Sequence, residues 1–137
     1  MSRFAALKTG DPIPSRQHTP TNVSLFLYNA AIWNAHRIHY DEPYATEVEG
    51  HPGVVIDGPL QGDWLTQVVV DWLGEDGVLV EFEYSNRVAS YLGACLTAGG
   101  QISAVDPLSR EVSLDLAITN ADSAVLTPGS ARVRFFS

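Results

Sequence analysis

The stretch from Asp57 to Gly74 constrains this chain more than any other. Asp57 and Gly58 precede Pro59, and proline suits the first position of a helix because the N–H it lacks would have no partner there. Leu60, Trp64, Leu65, Val68, Val69 and Trp72 then recur at helical spacing, and Gly74 follows as the stop. Apolar residues flank most turns of this helix. It therefore reads as deeply buried, and a buried helix needs other elements to cover it.

The cover follows in the sequence. From residue 77 onward the apolar period changes to two. Val78, Val80, Phe82 and Tyr84 read as one face of a strand, with Glu81 and Glu83 on the other. Tyr91 to Val105 reads as a second strand, loosened by Gly93, Gly99 and Gly100. Asp106 to Arg110 has the residues of a hairpin turn. Val112, Leu114, Leu116 and Ile118 alternate with mostly polar neighbours, and Val133 and Phe135 close the chain as a last strand against Arg132 and Arg134. Ahead of the long helix, residues 1–20 read as an extended lead-in in which Pro12, Pro14 and Pro20 break any helix. Thr21 and Asn22 are good N-caps for a short apolar helix from Val23 to Trp33. Periodicity alone gives an α+β fold, one helix on an antiparallel sheet.

A chain of 137 residues fits one domain, taken here as 1–137, and 45% apolar residues suffice for a core. The net charge of -8 argues against nucleic acid, which needs a basic footprint. Charged residues make up 18%, below the usual share of about a quarter, as in soluble proteins that hide surface in an oligomer. No run approaches a membrane span, and Met1 to Gly10 lacks the apolar stretch of a signal peptide, so the cytoplasm is the expected location. Cys95 stands alone, without a basic neighbour in sequence, and reads as an inert core thiol. The serines lack a G-x-S-x-G elbow.

Between the two helices lies a segment no core requires: Asn34, His36, Arg37, His39, Tyr40, Asp41, Tyr44 and His51. The string Asn34-Ala35-His36-Arg37-Ile38-His39-Tyr40-Asp41, then Tyr44, then Glu49-Gly50-His51-Pro52-Gly53 and Gly58-Pro59-Leu60, resembles the MaoC-like hydratase/dehydratase family. It is most similar to the branch of the hydroxyacyl-thioester dehydratases and mesaconyl-CoA hydratases. The resemblance implies a hot-dog fold, an antiparallel sheet wrapped around one long central helix. It implies a hydro-lyase that adds or removes water across C2–C3 of an acyl thioester carried by CoA or acyl carrier protein. The acidic chain favours CoA over an acidic carrier protein. The implied assembly is a homodimer or a heteromer with another hot-dog protein, with no cofactor.

The family's signature, Asp-x-Asn-Pro-x-His, falls here on Asn34 and His39, with His36 and Arg37 in place of Asn-Pro. An amide accepts no proton at neutral pH, so Asn34 is left to orient water. His39 is suited to general acid–base work; its bland alternative is a half-buried histidine bonded to backbone. Gly58, at the start of the buried helix, would donate its N–H to the thioester oxygen. His36, Arg37, Tyr44 and Asp57 are the candidate substrate-binding residues. Each has a structural alternative: His36 shares a helical face with His39 and with it makes a weak metal pair, Arg37 pairs with Asp41, Tyr44 packs at the rim, and Asp57 caps the helix. Two other functions stay open. One is a non-catalytic or half-site subunit of a heteromeric hydratase, raised by Asn34 in the Asp position. The other is an acyl-CoA thioesterase that recruits Asp57 or Asp63.

Overall fold

The structure, a computed structural model, describes residues 2–137; the first residue of the lead-in lies outside them. Two helices, α1 (Asn22–Ala31) and α2 (Gly58–Leu73), and five strands follow one another: β1 (Pro12–His18) before α1, then β2 (Gly77–Tyr84), β3 (Leu96–Asp106), β4 (Glu111–Thr119) and β5 (Val125–Phe135) after α2. The strands form one antiparallel sheet in the order β1-β3-β4-β5-β2. α2 touches all five strands. Its Leu65, Val68, Val69 and Leu73 are buried against Val112, Leu114, Leu116 and Ile118 of β4 and Ala131, Val133 and Phe135 of β5, in one continuous core. This is the hot-dog arrangement: the apolar face of a curled sheet covers a helix too apolar to stand in water.

The capping residues act where the sequence places them at α1. The Thr21 hydroxyl accepts from the Ser24 N–H at 3.1 Å, and the Ser24 hydroxyl accepts from the Thr21 N–H at 2.8 Å. α2 begins one residue earlier than expected, with Gly58 first and Pro59 second, and Gly74 ends it at φ 60°. Trp64, Leu65, Val68 and Val69 are buried as the spacing predicts, while Leu60 and Trp72 are only half-buried.

Three expectations need correction. The lead-in is not free: Pro12–His18 pairs with β3 as an edge strand. Its prolines are tolerated because an edge strand has one unpaired side and because the register shifts between Ile13 and Arg16. In β2 the predicted face is half wrong. A register shift between Leu79 and Glu81 inserts an extra residue, so Leu79 and Phe82 pack on the core while Val78 and Val80 face solvent. A bulge reverses the parity of every residue beyond it. Cys95 is exposed rather than in the core, because β3 starts only at Leu96 and Cys95 belongs to the loop before it.

Gly62 shows how closely α2 approaches the sheet. A Cβ there would lie 2.5 Å from the Tyr84 ring. Gly62→Ala should therefore destabilise the fold by about 1–3 kcal/mol through overpacking, read as a lower urea midpoint with an unchanged m-value. An unchanged midpoint would show that Tyr84 swings aside at no cost.

Candidate active site

The polar segment between the helices is held by short-range bonds. The Asn34 side-chain oxygen accepts from the His36 N–H at 3.0 Å. Single-turn helices follow over Arg37–His39 and Tyr44–Val48. Arg37 pairs with Asp41 at 2.8 Å, and its guanidinium lies 4.3 Å from the centre of the Tyr44 ring. That pairing holds the Asp41 carboxyl below the usual carboxylate range. The Tyr44 hydroxyl donates to Glu49 at 2.9 Å. The His36 ring meets the His39 ring edge-on, centres 5.7 Å apart.

His39 is buried and fixed from behind by the extended residues that lead into α2. The Val55 N–H donates to the Ile38 carbonyl at 2.9 Å, and His39 Nδ1 lies 2.8 Å from the Val55 carbonyl oxygen. A carbonyl only accepts, so Nδ1 carries the proton and Nε2 keeps its lone pair in the neutral ring. The same segment is tied on its other side, where Ile56 N–H donates to the Ser90 carbonyl and Leu92 N–H to the Val54 carbonyl.

Asp57 does not cap α2 through its side chain. Instead it is completely buried, with Oδ1 accepting from the Asn29 amide at 3.1 Å and lying 3.6 Å from His39 Nδ1. Its Oδ2 has no partner. Burial pushes the Asp57 carboxyl above its ordinary value, against the opposing pull of the Asn29 amide and the nearby imidazole. Asn29 spends its other amide proton on the Leu25 carbonyl at 2.7 Å.

A cavity of about 350 Å³ opens at the start of α2. His39, Gly58, Gln61, Asn86 and Arg87 line it, with Val55 and Val88 as apolar wall. Gly58, first in α2, has an N–H without an intrahelical partner. A Cβ at position 58 would collide with the Asn86 amide, so a larger residue there would have to displace that side chain. Gln61 is buried and accepts from the Thr127 hydroxyl at 2.6 Å, which braces the cavity floor against β5.

His39 and Gly58 are thus brought together, with Asp57 directly behind His39. Asn34 is not: it lines an adjoining cavity of about 330 Å³ with Phe26, Asn29, Trp33 and Tyr40. Asn29 lines that cavity and donates to the Asp57 carboxylate behind His39. His36, Arg37 and Tyr44 line neither. Sequence reasoning passed over Asn29, Gln61, Asn86, Arg87 and Thr127. Asn29 left a signal, a lone interior amide on an apolar helix; the others lie on elements whose register only the fold supplies.

The model of the family described as Htd2, hydroxyacyl-thioester dehydratase type 2, matches residues 3–92. The chain belongs to this family. The match takes in both helices and every residue named on the cavity except Thr127. Among curated proteins, the chain is 52% identical over 46 residues to the mesaconyl-C(4)-CoA hydratase of Chloroflexus aurantiacus, across 34% of this chain and 16% of that one. It is 48% identical over 42 residues to the mitochondrial hydroxyacyl-thioester dehydratase type 2 of Schizosaccharomyces pombe, across 31% of this chain and 14% of that one. The aligned segments therefore span about a sixth of those relatives or less. The Htd2 family member here also shares its fold with an (R)-hydratase from A. caviae involved in PHA biosynthesis. That likeness has a TM-score of 0.85 at 16% identity, over 95% of this chain and 98% of the other. Among the described residues, no group of three or more His, Cys, Asp or Glu is placed to hold a metal ion, and no helix is long and apolar enough to cross a membrane.

The buried Asp57 carboxyl has a consequence for stability. Its folded pKa lies above the ordinary 3.8, so between the two values the folded chain binds the proton more tightly than the unfolded chain. Its contribution to stability is therefore full below 3.8 and is lost as pH rises through the folded pKa. Asp57→Asn should gain stability over wild type as pH rises above 3.8, and the difference should level off once Asp57 has ionised in the folded chain. Urea unfolding at a series of pH values measures it, and a difference independent of pH would contradict the burial argument.

Proposed function

We propose that this chain is a hydratase/dehydratase that adds or removes water across C2–C3 of an acyl thioester. The observation that carries the reading is a single cavity shared by the His39 imidazole and the unpartnered Gly58 N–H at the start of α2. In hydration, His39 Nε2 takes a proton from water as the oxygen bonds to C3. The C2–C3 π electrons move toward the thioester, whose oxygen gains charge and accepts from the Gly58 N–H. Return of a proton to C2 restores the carbonyl. Dehydration runs the same path backward. A preorganised backbone donor at a helix N-terminus suits a developing oxyanion, and an imidazole with an open Nε2 suits the proton transfer. Asn34 is assigned no proton transfer in this scheme, because an amide accepts no proton at neutral pH and its oxygen already accepts from the His36 N–H.

The proposed carrier is CoA, on the acidity of the chain and on the CoA thioester in the name of the Chloroflexus relative. Arg37 is already engaged with Asp41 and Tyr44. Arg87, on the cavity wall, is the better cation for an anionic group of the substrate. A cytoplasmic site of action is part of the same proposal.

The purified chain should consume crotonyl-CoA, seen as loss of enoyl-thioester absorbance. His39→Ala should lower kcat by at least about 100-fold, the usual contribution of a general acid–base group. An unchanged rate in that variant would remove His39 from the chemistry, and release of free thiol with no change in the enoyl signal would point to a thioesterase instead. Arg87→Gln should raise KM about two- to five-fold with kcat unchanged, the scale of one exposed ion pair. An unchanged KM would remove Arg87 from the substrate.

A second reading, a subunit that works only beside another hot-dog protein, is supported by the exposed apolar face of α1. Leu27 is 61% exposed and Trp33, just beyond the helix, 93%. A solitary protein rarely leaves such a patch uncovered. Activity in a purified homomer would dismiss that reading.

A further inference from the structure

We infer that Asp57, held by Asn29, is the positioning carboxylate for His39, standing behind the ring in place of the carboxylate that Asn34 lacks. The inference rests on the proposed hydration chemistry and deepens it. Three elements converge on it. α1 supplies Asn29, the Arg37–His39 turn supplies His39, and the residue capping α2 supplies Asp57.

An aspartate ahead of a helix ordinarily spends an oxygen on the first helical N–H groups. Asp57 does not, and one of its oxygens is left with no partner in a fully buried site. A buried carboxylate without its full set of hydrogen bonds is costly. Packing does not require it, since an apolar side chain would fill the space. What the position does offer is a negative charge 3.6 Å from His39 Nδ1, on the side of the ring away from Nε2.

The ring needs that charge only during reaction. When Nε2 takes the water proton, a buried imidazole becomes a buried imidazolium. Val55 O, a neutral acceptor at 2.8 Å, fixes the ring's orientation but supplies no counter-charge. Asp57 supplies it. Asp57 gains no proton in the step: the proton stays on Nε2, Nδ1 keeps its own, and the carboxylate faces the new charge through space. Asn29 keeps Oδ1 aimed at Nδ1 by binding it from the other side. Ionisable groups near the pair include Tyr28 on α1, whose hydroxyl is pushed up chiefly by burial and by its bond to Asp63, with Asp57 a lesser cause, and His36, whose ring meets that of His39.

The test is Asp57→Asn, which keeps shape and removes charge, crossed with His39→Ala. Asp57→Asn should lower kcat about 10- to 100-fold, leave KM within about two-fold, and cost no stability at neutral pH. In the His39→Ala background it should cost nothing further, because a residue that acts through His39 has nothing left to act on. An equal loss of rate in both backgrounds, or a loss of kcat that tracks a loss of stability, overturns the inference. Nitrogen NMR of the His39 ring reads the same pair without turnover. Asp57→Asn should displace the His39 ring-nitrogen signals, and unchanged signals overturn the inference as well. If wild type hydrates no enoyl thioester but the signals move, the proposed reaction fails while the Asp57–His39 pairing stands.

Discussion

Two contacts to Val55 organise this molecule's polar end. Its N–H ties the turn that carries His39, and its carbonyl takes the His39 Nδ1 proton. Val55 is also only three residues from the first turn of α2. The residues that orient His39 therefore also fix where the helix begins, and so where Gly58 presents its N–H. Bridging to the Ser90–Leu92 loop closes the other side. The His39 ring and the Gly58 N–H, the proposed base and oxyanion donor, are thus positioned by one stretch of backbone.

That arrangement depends in turn on α2 being immobile. Its buried face meets all five strands, and the sheet it packs on carries an outer ladder of Arg132, Arg134, Glu81 and Glu111. These ion pairs are largely solvated and add little stability individually. They do put charge on the outer face of the sheet, opposite the apolar face that covers α2. The molecule is stable at the sheet and holds its unfavourable group, the buried Asp57, where α1, the His39 turn and α2 meet. Strain of this kind persists when surrounding packing over-determines it.

The fold was largely legible because two periodicities dominate the chain. The 3.6-residue pattern of Leu60 to Trp72 and the alternation of Val112 to Ile118 each have one satisfactory burial, and together they require a sheet around a helix. What escaped was whatever depended on a single inserted residue or on distant pairing. The shift after Leu79 left Val78 and Val80 outward, and Pro12–His18 read as an extended lead-in with no partner until β3 supplied one. At the site, His39 and Gly58 stood out because a motif and a helix start mark them. Asp57 was visible, but read as a substrate-binding candidate with a helix cap as the structural alternative, since its position in sequence is that of a cap. Only the depth of its burial and the amide of Asn29, 28 residues away, give it another meaning.

Charge distribution carries the argument one step further. The chain has 16 acidic and 8 basic residues, so cations are scarce and mostly committed. Arg3, Arg16, Arg37, Arg132 and Arg134 are in ion pairs, and Arg110 donates to the Phe135 carbonyl. Among the described residues the Lys8 and Arg87 side chains have no such partner, and of the two Arg87 borders the cavity that holds His39. In a chain with twice as many acids as bases, an uncommitted cation on the cavity of His39 is poorly placed for structure but well placed for an incoming anion. The cavity thus has a graded lining: a charge buried behind the imidazole, neutral amides of Gln61 and Asn86 along its wall, and a positive group exposed at its edge. The thioester proposed as substrate would match that gradient in one orientation, with its anion outward at Arg87 and its reacting carbons inward at His39 and Gly58.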